Sequence, residues 1–232
     1  MISVRKSNER GAANIGWLDS RHTFSFGHYH DSDFMGFGSL RVINEDWIEP
    51  GQGFGTHGHQ DMEIVTYIID GALEHTDDMG NGSVIRHGDV QRMTAGTGIQ
   101  HSEFNHSQTE VVHLLQIWIL PEKASLETGY EEKSFSDADK TDQFRLLGSR
   151  DGRNGSVTIH QDVDLYATFL SAGSELAHTF RTNRKGWLQV ISGDVLIDGQ
   201  RLSAGDGAAL RDLTKLRLKA FDDAEVLLFD MG

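Results

Sequence analysis

The residues that could do chemistry lie in the first half of the sequence, in two segments that each hold a pair of metal-ligand types. His57 and His59 flank one glycine, and His101 and Glu103 flank one serine. Alternate side chains of an extended strand point to the same face, so each pair can present both members to one point. If the two strands lie opposite each other in a barrel, three imidazoles and one carboxylate converge on a single cation.

This ligand set predicts one divalent transition metal. Neutral imidazoles and a carboxylate suit Fe(II), Mn(II), Co(II), Ni(II) or Cu(II), and they leave coordination positions for water, a substrate or O2. Fe(II) is the metal that we expect, and Zn(II) is compatible as well. The chain has no cysteine, which excludes disulfides, thiolate metal sites, iron–sulfur clusters and a cysteine nucleophile.

Other residues compete for these roles. His28 and His30 repeat the spacing, but no carboxylate at matching spacing accompanies them, so we interpret them as part of a solvated loop. Glu63 follows His59 by four extended residues, roughly 13 Å at about 3.3 Å per residue, which is too far to share a metal without a bulge. We therefore expect Glu103 as the carboxylate ligand and a polar or capping contact for Glu63.

The elements that must position these residues are strands. A content of Gly 26 against Pro 2 suits short strands joined by tight turns. Segments rich in β-branched and aromatic residues alternate with glycine-containing turns, and no long helical stripe occurs. The clearest predicted strands are residues 37–43, 63–69, 111–119 and 224–230.

The two halves of the chain resemble each other. Residues 67–74 and 189–196 both contain an apolar run, a turn that ends in glycine and a second apolar strand. Self-similarity at half the chain length indicates a duplicated domain, and the charged segment 121–150 is typical of a connector. We predict two β-barrels in tandem. The predicted domains are residues 1–134, with the metal, and residues 143–232.

The charge of the chain restricts its partners. With 21 Lys and Arg against 35 Asp and Glu, the formal net charge is −14, which disfavours direct contact with nucleic acid. The longest apolar stretch, residues 111–120, is too short to span a membrane, and residues 1–11 lack the apolar run of a secretory signal. We expect a cytoplasmic protein with no membrane contact, and two barrels that close on each other favour a monomer.

With these motifs in place, the sequence resembles the pirin family of cupins. The spacing Gly51-x5-His57-x-His59-x3-Glu63 is similar to the first cupin motif, and residues 98–105 are similar to the end of the second. The usual second motif has a proline ahead of its histidine, whereas residues 94–96 of this sequence are Thr-Ala-Gly, so we expect glycine to build the turn there. The match runs through the first half, continues more loosely into the second, and is similar to bacterial pirin-like proteins with quercetin 2,3-dioxygenase activity. The segments that resemble pirins specifically are residues 22–26, 35–37, 40–44, 53–57, 59–63 and 93–103.

The resemblance implies an all-β bicupin, made of two tandem cupin (jelly-roll) β-barrels. In that family the metal is held in the first barrel, by the positions that match the two pairs described above: His57, His59, His101 and Glu103. The second barrel is expected to have lost its site. The sequence agrees, because Phe180 stands where the second imidazole would follow His178, and no His-x-Glu pair follows Gly205.

The activity implied is metal-dependent opening of the flavonol ring of quercetin-like substrates with O2, with insertion of both oxygen atoms and release of carbon monoxide. Glu103 is the expected catalytic residue, as acceptor of the flavonol 3-hydroxyl proton. Phe37, Leu40, Leu115 and Trp118 would hold the aromatic substrate or belong to the core. The alternatives are a non-enzymatic, redox-sensitive transcriptional co-regulator that binds a protein partner, and a module in which the metal only orients an oxygen ligand.

Overall fold

The computed structural model describes residues 1–232, and the chain is almost entirely β, as predicted. One short helix, α1 (Asp137–Lys140), and two 3-10 turns interrupt the strands. None of the helices combines the length and apolar composition that a membrane span requires. In chain order the strands are β1 (Ile2–Arg5), β2 (Gly11–Asn14), β3 (Leu18–His22), β4 (Leu40–Ile48), β5 (Gly53–His59), β6 (Glu63–Asp70), β7 (Ala72–Asp77), β8 (Gly82–Arg86), β9 (Asp89–Thr94), β10 (Ile99–Asn105), β11 (Val112–Ile119), β12 (Gly129–Ser134), β13 (Arg145–Ser149), β14 (Val157–Thr158), β15 (Val163–Leu170), β16 (Glu175–Thr179), β17 (Lys185–Ser192), β18 (Asp194–Ile197), β19 (Gln200–Ser203), β20 (Gly207–Leu210), β21 (Lys215–Ala220) and β22 (Ala224–Met231).

The chain divides into two compact units, each built from two sheets. The first unit contains Gly11–Ser134 with Val157–Gln161, and the second contains Met1–Arg10, Phe135–Ser156 and Asp162–Gly232. Strand β1 pairs antiparallel with β20, so the N-terminal strand belongs to the later unit. The division predicted from the sequence, at residues 1–134 and 143–232, instead assigns residues 1–10 to the first domain.

In the first unit, a seven-stranded sheet in the order β12-β9-β6-β11-β4-β3-β2 and a four-stranded sheet in the order β5-β10-β7-β8 enclose the core. Strands β7 and β10 alternate buried and less buried residues, as a strand with one covered face must. One core cluster closes one region of this interior, with side chains from both sheets. Its buried members are Ile48, Ile68, Leu73, Ile85, Val112 and Leu114.

The second unit repeats this arrangement. The order β1-β20-β17-β22-β15-β13 forms one sheet of the unit, and β16-β21-β18-β19 forms the other. Strand β22 is buried along its whole length because strands pair with it on both sides, β15 and β17. A large apolar cluster fills the interior of this unit, and it includes Phe180, Leu188, Leu216 and Leu228.

Candidate metal centre

The two ligand pairs lie on neighbouring strands of the four-stranded sheet. Strands β5 and β10 pair antiparallel, and the register places His101 opposite His57. A β-bulge follows His101 in this pairing. At Gly53 a Cβ atom would lie 2.2 Å from the carbonyl oxygen of Glu103, so only glycine allows β5 to approach β10 closely at this point. The sequence of the strand thus brings the pairs together.

Three imidazoles converge on one point. The ligand nitrogens of His57, His59 and His101 all lie within 4.8 Å of one another. The ring centroids are 4.8 Å apart for His57 and His59, 4.4 Å for His57 and His101, and 4.9 Å for His59 and His101. Ligands about 2.1 Å from a single ion lie within about 4.2 Å of one another, so small side-chain rotations would bring the three rings to ligand distance.

The hydrogen bonds of these rings leave nitrogen atoms directed at the common point. His57 Nδ1 lies 2.9 Å from the carbonyl oxygen of Gly55, so Nδ1 carries a proton, and in the neutral ring Nε2 has the lone pair that could bind an ion. His101 Nε2 is buried and has no hydrogen-bond partner. Since buried polar atoms normally have a partner, this orphaned nitrogen fits a metal ligand.

The electrostatics of the cluster keep two of the rings neutral. Burial, followed by the proximity of His57, lowers the pKa of His59 to about 4. Burial, followed by the proximity of His57 and His59, lowers the pKa of His101 to about 3. The neutral form of an imidazole is the form that binds a divalent cation, so these two rings are ready to act as ligands.

The carboxylate of the predicted ligand set is Glu103, which lies two residues after His101 on β10 and is buried. Glu103 is 4 % exposed, and Gln116 Nε2 on β11 donates to both of its oxygens, at 2.8 and 2.9 Å. Burial raises the pKa of Glu103 to about 7, against the lowering effect of the Gln116 hydrogen bond and with a further raising effect of Asp46. Its oxygen lies within 4.8 Å of ligand nitrogens of His101 and His75. The three predicted histidines therefore form one group, and Glu103 joins His101 in a second group that also contains His75, which the sequence interpretation did not include.

A cavity of about 580 Å³ opens onto this cluster. Its walls include the aromatic residues Phe26, Tyr29, Phe54 and Trp118, of which Trp118 packs edge-on against both His59 and Phe26. The volume is within the range of about 300–1,000 Å³ typical of small-molecule sites. The donor set and the cavity together fit a metal centre that takes a small organic ligand.

The cavity also has polar lining residues that the sequence interpretation missed. His22 Nδ1 lies 2.8 Å from Asn44 Oδ1, and Ser20 Oγ donates to Asp46 Oδ1. Burial raises the pKa of Asp46 to about 7, and the hydrogen bond from Ser20 opposes that shift. We define Ser20, His22, Asn44 and Asp46 as the polar row. Its signal in the sequence is the polar run Asn44, Glu45 and Asp46 within β4, in which Asn44 and Asp46 share one face.

The other candidates from the sequence have different places. Glu63 is fully buried, and its Oε2 accepts from the backbone N–H of His160 at 3.0 Å, so it anchors residues 157–161 to the unit. His28 and His30 are exposed, as expected for a solvated loop, and only His28 reaches the cavity wall. Of the residues predicted to contact an aromatic substrate, Trp118 lines the cavity. The other three, Phe37, Leu40 and Leu115, are buried in the core.

The turn before His101 is rigid although it lacks the proline of the usual second cupin motif. Gly96 has φ +41°, and a Cβ atom there would lie 2.1 Å from the carbonyl oxygen of Leu126. Backbone hydrogen bonds from Ala95 to Met62 and from Thr97 to Leu126 fix both sides of the turn. Glycine and main-chain hydrogen bonds thus replace proline in delivering β10 to the site.

Comparison with known proteins agrees with the fold. Residues 3–119 match the family described as Pirin, and residues 146–231 match the family described as Quercetinase C-terminal cupin domain. The chain belongs to the pirin family. It is 50 % identical to the quercetin 2,3-dioxygenase of Escherichia coli K12, over 100 % of this chain and 99 % of that protein. It is 38 % identical to a pirin-like protein of Caulobacter vibrioides, over 99 % of both chains.

Solved structures of bacterial pirins have the same fold. The crystal structure of YhhW from Escherichia coli matches with a TM-score of 0.96 and 50 % identity, over 100 % of this chain and 98 % of that one. The structure of YhhW in complex with nickel(II) matches with a TM-score of 0.95 and 49 % identity, over 100 % of this chain and 99 % of that one. The bicupin fold predicted from the sequence is therefore confirmed.

Proposed function

We propose that this pirin is a metal-dependent dioxygenase that opens the flavonol ring of quercetin-like substrates with O2. A relative that is 50 % identical to it is named quercetin 2,3-dioxygenase. The observation that carries the proposal is a cluster of three imidazoles, beside a buried carboxylate, at an aromatic-walled cavity. In the reaction both atoms of O2 enter the product and one carbon leaves as carbon monoxide.

His57, His59, His101 and Glu103 would hold the metal. Nickel(II) occupies the related YhhW structure, and Fe(II) is the native metal that we propose, because imidazole and carboxylate ligands with open positions suit it. Bound there, a divalent ion would acidify a substrate hydroxyl and bring it next to O2.

The cavity supplies the contacts that a polyhydroxylated planar ring needs. Trp118 and Phe54 offer apolar surface for the ring faces, and the polar row offers hydrogen-bond partners for hydroxyl groups. A flat aromatic substrate held between these surfaces excludes water from the metal centre. The polar row would also fix which edge of the substrate points toward the cluster.

Glu103 is the proposed catalytic residue. Its carboxylate lies next to His101 and would accept the proton of the flavonol 3-hydroxyl on Oε1 or Oε2. The side-chain amide of Gln116 holds both oxygens, so the carboxylate is oriented before substrate enters. Replacing Gln116 would leave Glu103 buried without this donor.

Oxygen uptake with quercetin tests the proposal. The metal-loaded chain is expected to consume O2 and release carbon monoxide, and Glu103→Ala is expected to lose turnover. The matched control is His178→Ala in the second unit, which should keep full activity. Absence of uptake with Fe(II), Ni(II), Mn(II) and Co(II) in turn would refute the dioxygenase proposal.

A further inference from the structure

A second buried pair, His75 and Asp77 on β7, lies behind the proposed ligand His101. Strand β7 is the neighbour of β10, and the register places Asp77 opposite His101 and His75 opposite Glu103. Both side chains of the pair are 0 % exposed, and neither lines the cavity. Burying an imidazole and a carboxylate is costly unless each has well-placed partners, so the contacts of the pair show what it can do.

The hydrogen bonds of Asp77 determine which atom of His75 carries a proton. Asp77 Oδ1 accepts from the backbone N–H groups of Met79 at 3.0 Å and Asn81 at 2.9 Å. Asp77 Oδ2 accepts from Asn81 Nδ2 at 2.8 Å and lies 3.4 Å from His75 Nε2. A carboxylate is an acceptor only. His75 Nε2 must therefore donate to Asp77.

The contact between the two imidazoles follows from this assignment. His75 Nδ1 lies 3.5 Å from His101 Nδ1, and one of the two nitrogens must donate. With its proton on Nε2, neutral His75 has a lone pair on Nδ1 and accepts from His101 Nδ1–H. His101 then has its lone pair on Nε2, which is the buried atom without a partner. Tyr130 stacks on the His75 ring at 5.2 Å and keeps it in this orientation.

We propose that Asp77 and His75 are positioning residues for His101, which set its tautomer and ring orientation so that Nε2 faces the metal. The inference rests on the proposed metal site and on no property of the substrate. Partners that orient a metal-bound histidine from behind contribute about 10- to 100-fold to metal affinity. The chain Asp77–His75–His101 extends this arrangement by one imidazole.

Asp77→Asn tests the direction of the hydrogen bonds that run from His101 to His75 and from His75 to Asp77. In this variant the side-chain carbonyl at position 77 can still accept from the backbone N–H groups of Met79 and Asn81, but the amide would donate to His75 Nε2 where the carboxylate accepted. The side-chain amide of Asn81, which donates to Asp77 Oδ2 in the wild type, would turn so that its oxygen accepts from the new amide. His75 would then donate from Nδ1 to His101 Nδ1, and the His101 proton would move to Nε2. The metal-free full chain, labelled with 15N at histidine, shows this directly: NMR is expected to find the Nδ1–H tautomer of His101 in the wild type and the Nε2–H tautomer in the variant.

Metal affinity gives the second readout. Chelator competition with Ni(II) is expected to show about 10- to 100-fold weaker binding for Asp77→Asn and His75→Phe, with one ion still bound per chain. His75→Phe preserves the stacking on Tyr130 but has no hydrogen bond. His75→Gln, which can donate to Asp77 and accept from His101, is expected to restore most of the affinity.

The matched control is Glu74→Gln, which removes the carboxylate of an exposed pair formed by Glu74 on β7 and His106, the residue that follows β10. It should leave both the tautomer and the Ni(II) affinity unchanged. Unchanged Ni(II) affinity and tautomer in Asp77→Asn and His75→Phe would overturn the proposal. Complete loss of the ion in both His75→Phe and His75→Gln, with Asp77→Asn unaffected, would also overturn it, because His75 would then be a ligand itself. A wild type that binds Ni(II) but does not turn over quercetin with Fe(II), Ni(II), Mn(II) or Co(II) refutes the proposed function alone.

Discussion

The two units share one architecture, yet only the first keeps a group of imidazoles. Strand β5 presents His57 and His59 on one face, whereas the corresponding strand β16 presents His178 and is followed by Phe180. Phe180 is 5 % exposed and belongs to the apolar cluster of the second unit. One aromatic residue in place of an imidazole thus converts a ligand position into core.

The second difference is how the polar atoms are satisfied. His178 Nε2 lies 2.8 Å from Asp230 Oδ2, and Asp230 also accepts from Arg184 Nε. His101 Nε2 in the first unit has no such partner. A histidine that protein atoms already satisfy is structural, whereas a buried histidine nitrogen with no partner, next to two other imidazoles, indicates a site that an ion completes.

Substitution of a ligand should separate the units most strongly. His59→Ala removes an imidazole from the cluster and is expected to weaken Ni(II) binding by more than about 1,000-fold, beyond the 10- to 100-fold typical of residues behind the ligands. His178→Ala is the matched change in the second unit and should not alter the affinity. Chelator competition measures both, and equal losses would contradict the assignment of the site to the first unit.

The stability of the metal-free chain should show the reverse order. Phe180→Ala leaves a cavity in a packed core and is expected to lower the free energy of unfolding by roughly 3–5 kcal/mol. His59→Ala is expected to cost less than about 1 kcal/mol, because its imidazole borders a cavity and is close to two others. Urea denaturation without metal compares the two. A larger cost for His59→Ala would show that the imidazoles are structural.

Buried acids provide a third contrast, which depends on pH. In the second unit Asp164 pairs with Arg153 at 2.6 Å, whereas in the first unit burial raises the pKa of Asp46 to about 7. The native state therefore binds this proton more tightly than the unfolded chain, and the free energy of unfolding falls as pH rises from about 4 to about 7. Asp46→Asn removes that dependence. The free energy of unfolding of the variant should therefore rise by roughly 2–3 kcal/mol relative to that of the wild type when the pH is raised from 5 to 7.

The measurement is urea denaturation of the metal-free wild type and variant at several pH values. His59 and His101 act in the opposite direction, because their lowered pKa values cost stability as pH falls, but both proteins have them and their contributions cancel in the difference. Asp164→Asn is the control, since it leaves Arg153 without this partner and should destabilise the chain throughout this range. A difference for Asp46→Asn that does not change with pH would contradict the account.

The smallest effect is expected at Glu63, the carboxylate that the sequence offered as a competitor of Glu103. Glu63→Gln keeps an acceptor for the His160 N–H and should lower the free energy of unfolding by only about 1 kcal/mol. Ni(II) affinity should not change, because Glu63 contacts residues 157–161 and not the imidazoles. A clear loss of affinity would return Glu63 to the ligand set.

The two-barrel fold, and the placement of each candidate ligand pair on one face of its strand, could be predicted because both depend on local spacing. Alternation along a strand places His57 with His59 and His101 with Glu103 on common faces, and repeated turns reveal the duplication. Strand order does not depend on local sequence. The pairing of β1 with β20 joins residues that are more than 200 positions apart, and the sequence around Ile2 does not indicate this partner.

The partners behind the ligands were missed for the same reason. His75 is one of several histidines in the sequence, and its role depends on β7 lying next to β10. Asp46 and Gln116 reach the cavity only because β4 and β11 are paired in register. Polar residues that alternate within apolar strands were the available signal, and they identify the face of a strand but not its neighbour.

The most direct test of the central claim is an anomalous difference map from crystals of the full chain grown with Ni(II). The account predicts a single strong peak per chain, within ligand distance of His57, His59, His101 and Glu103, and no peak beside His178. A peak in the second unit, or rings in the first unit that turn away from a metal bound elsewhere, would contradict it.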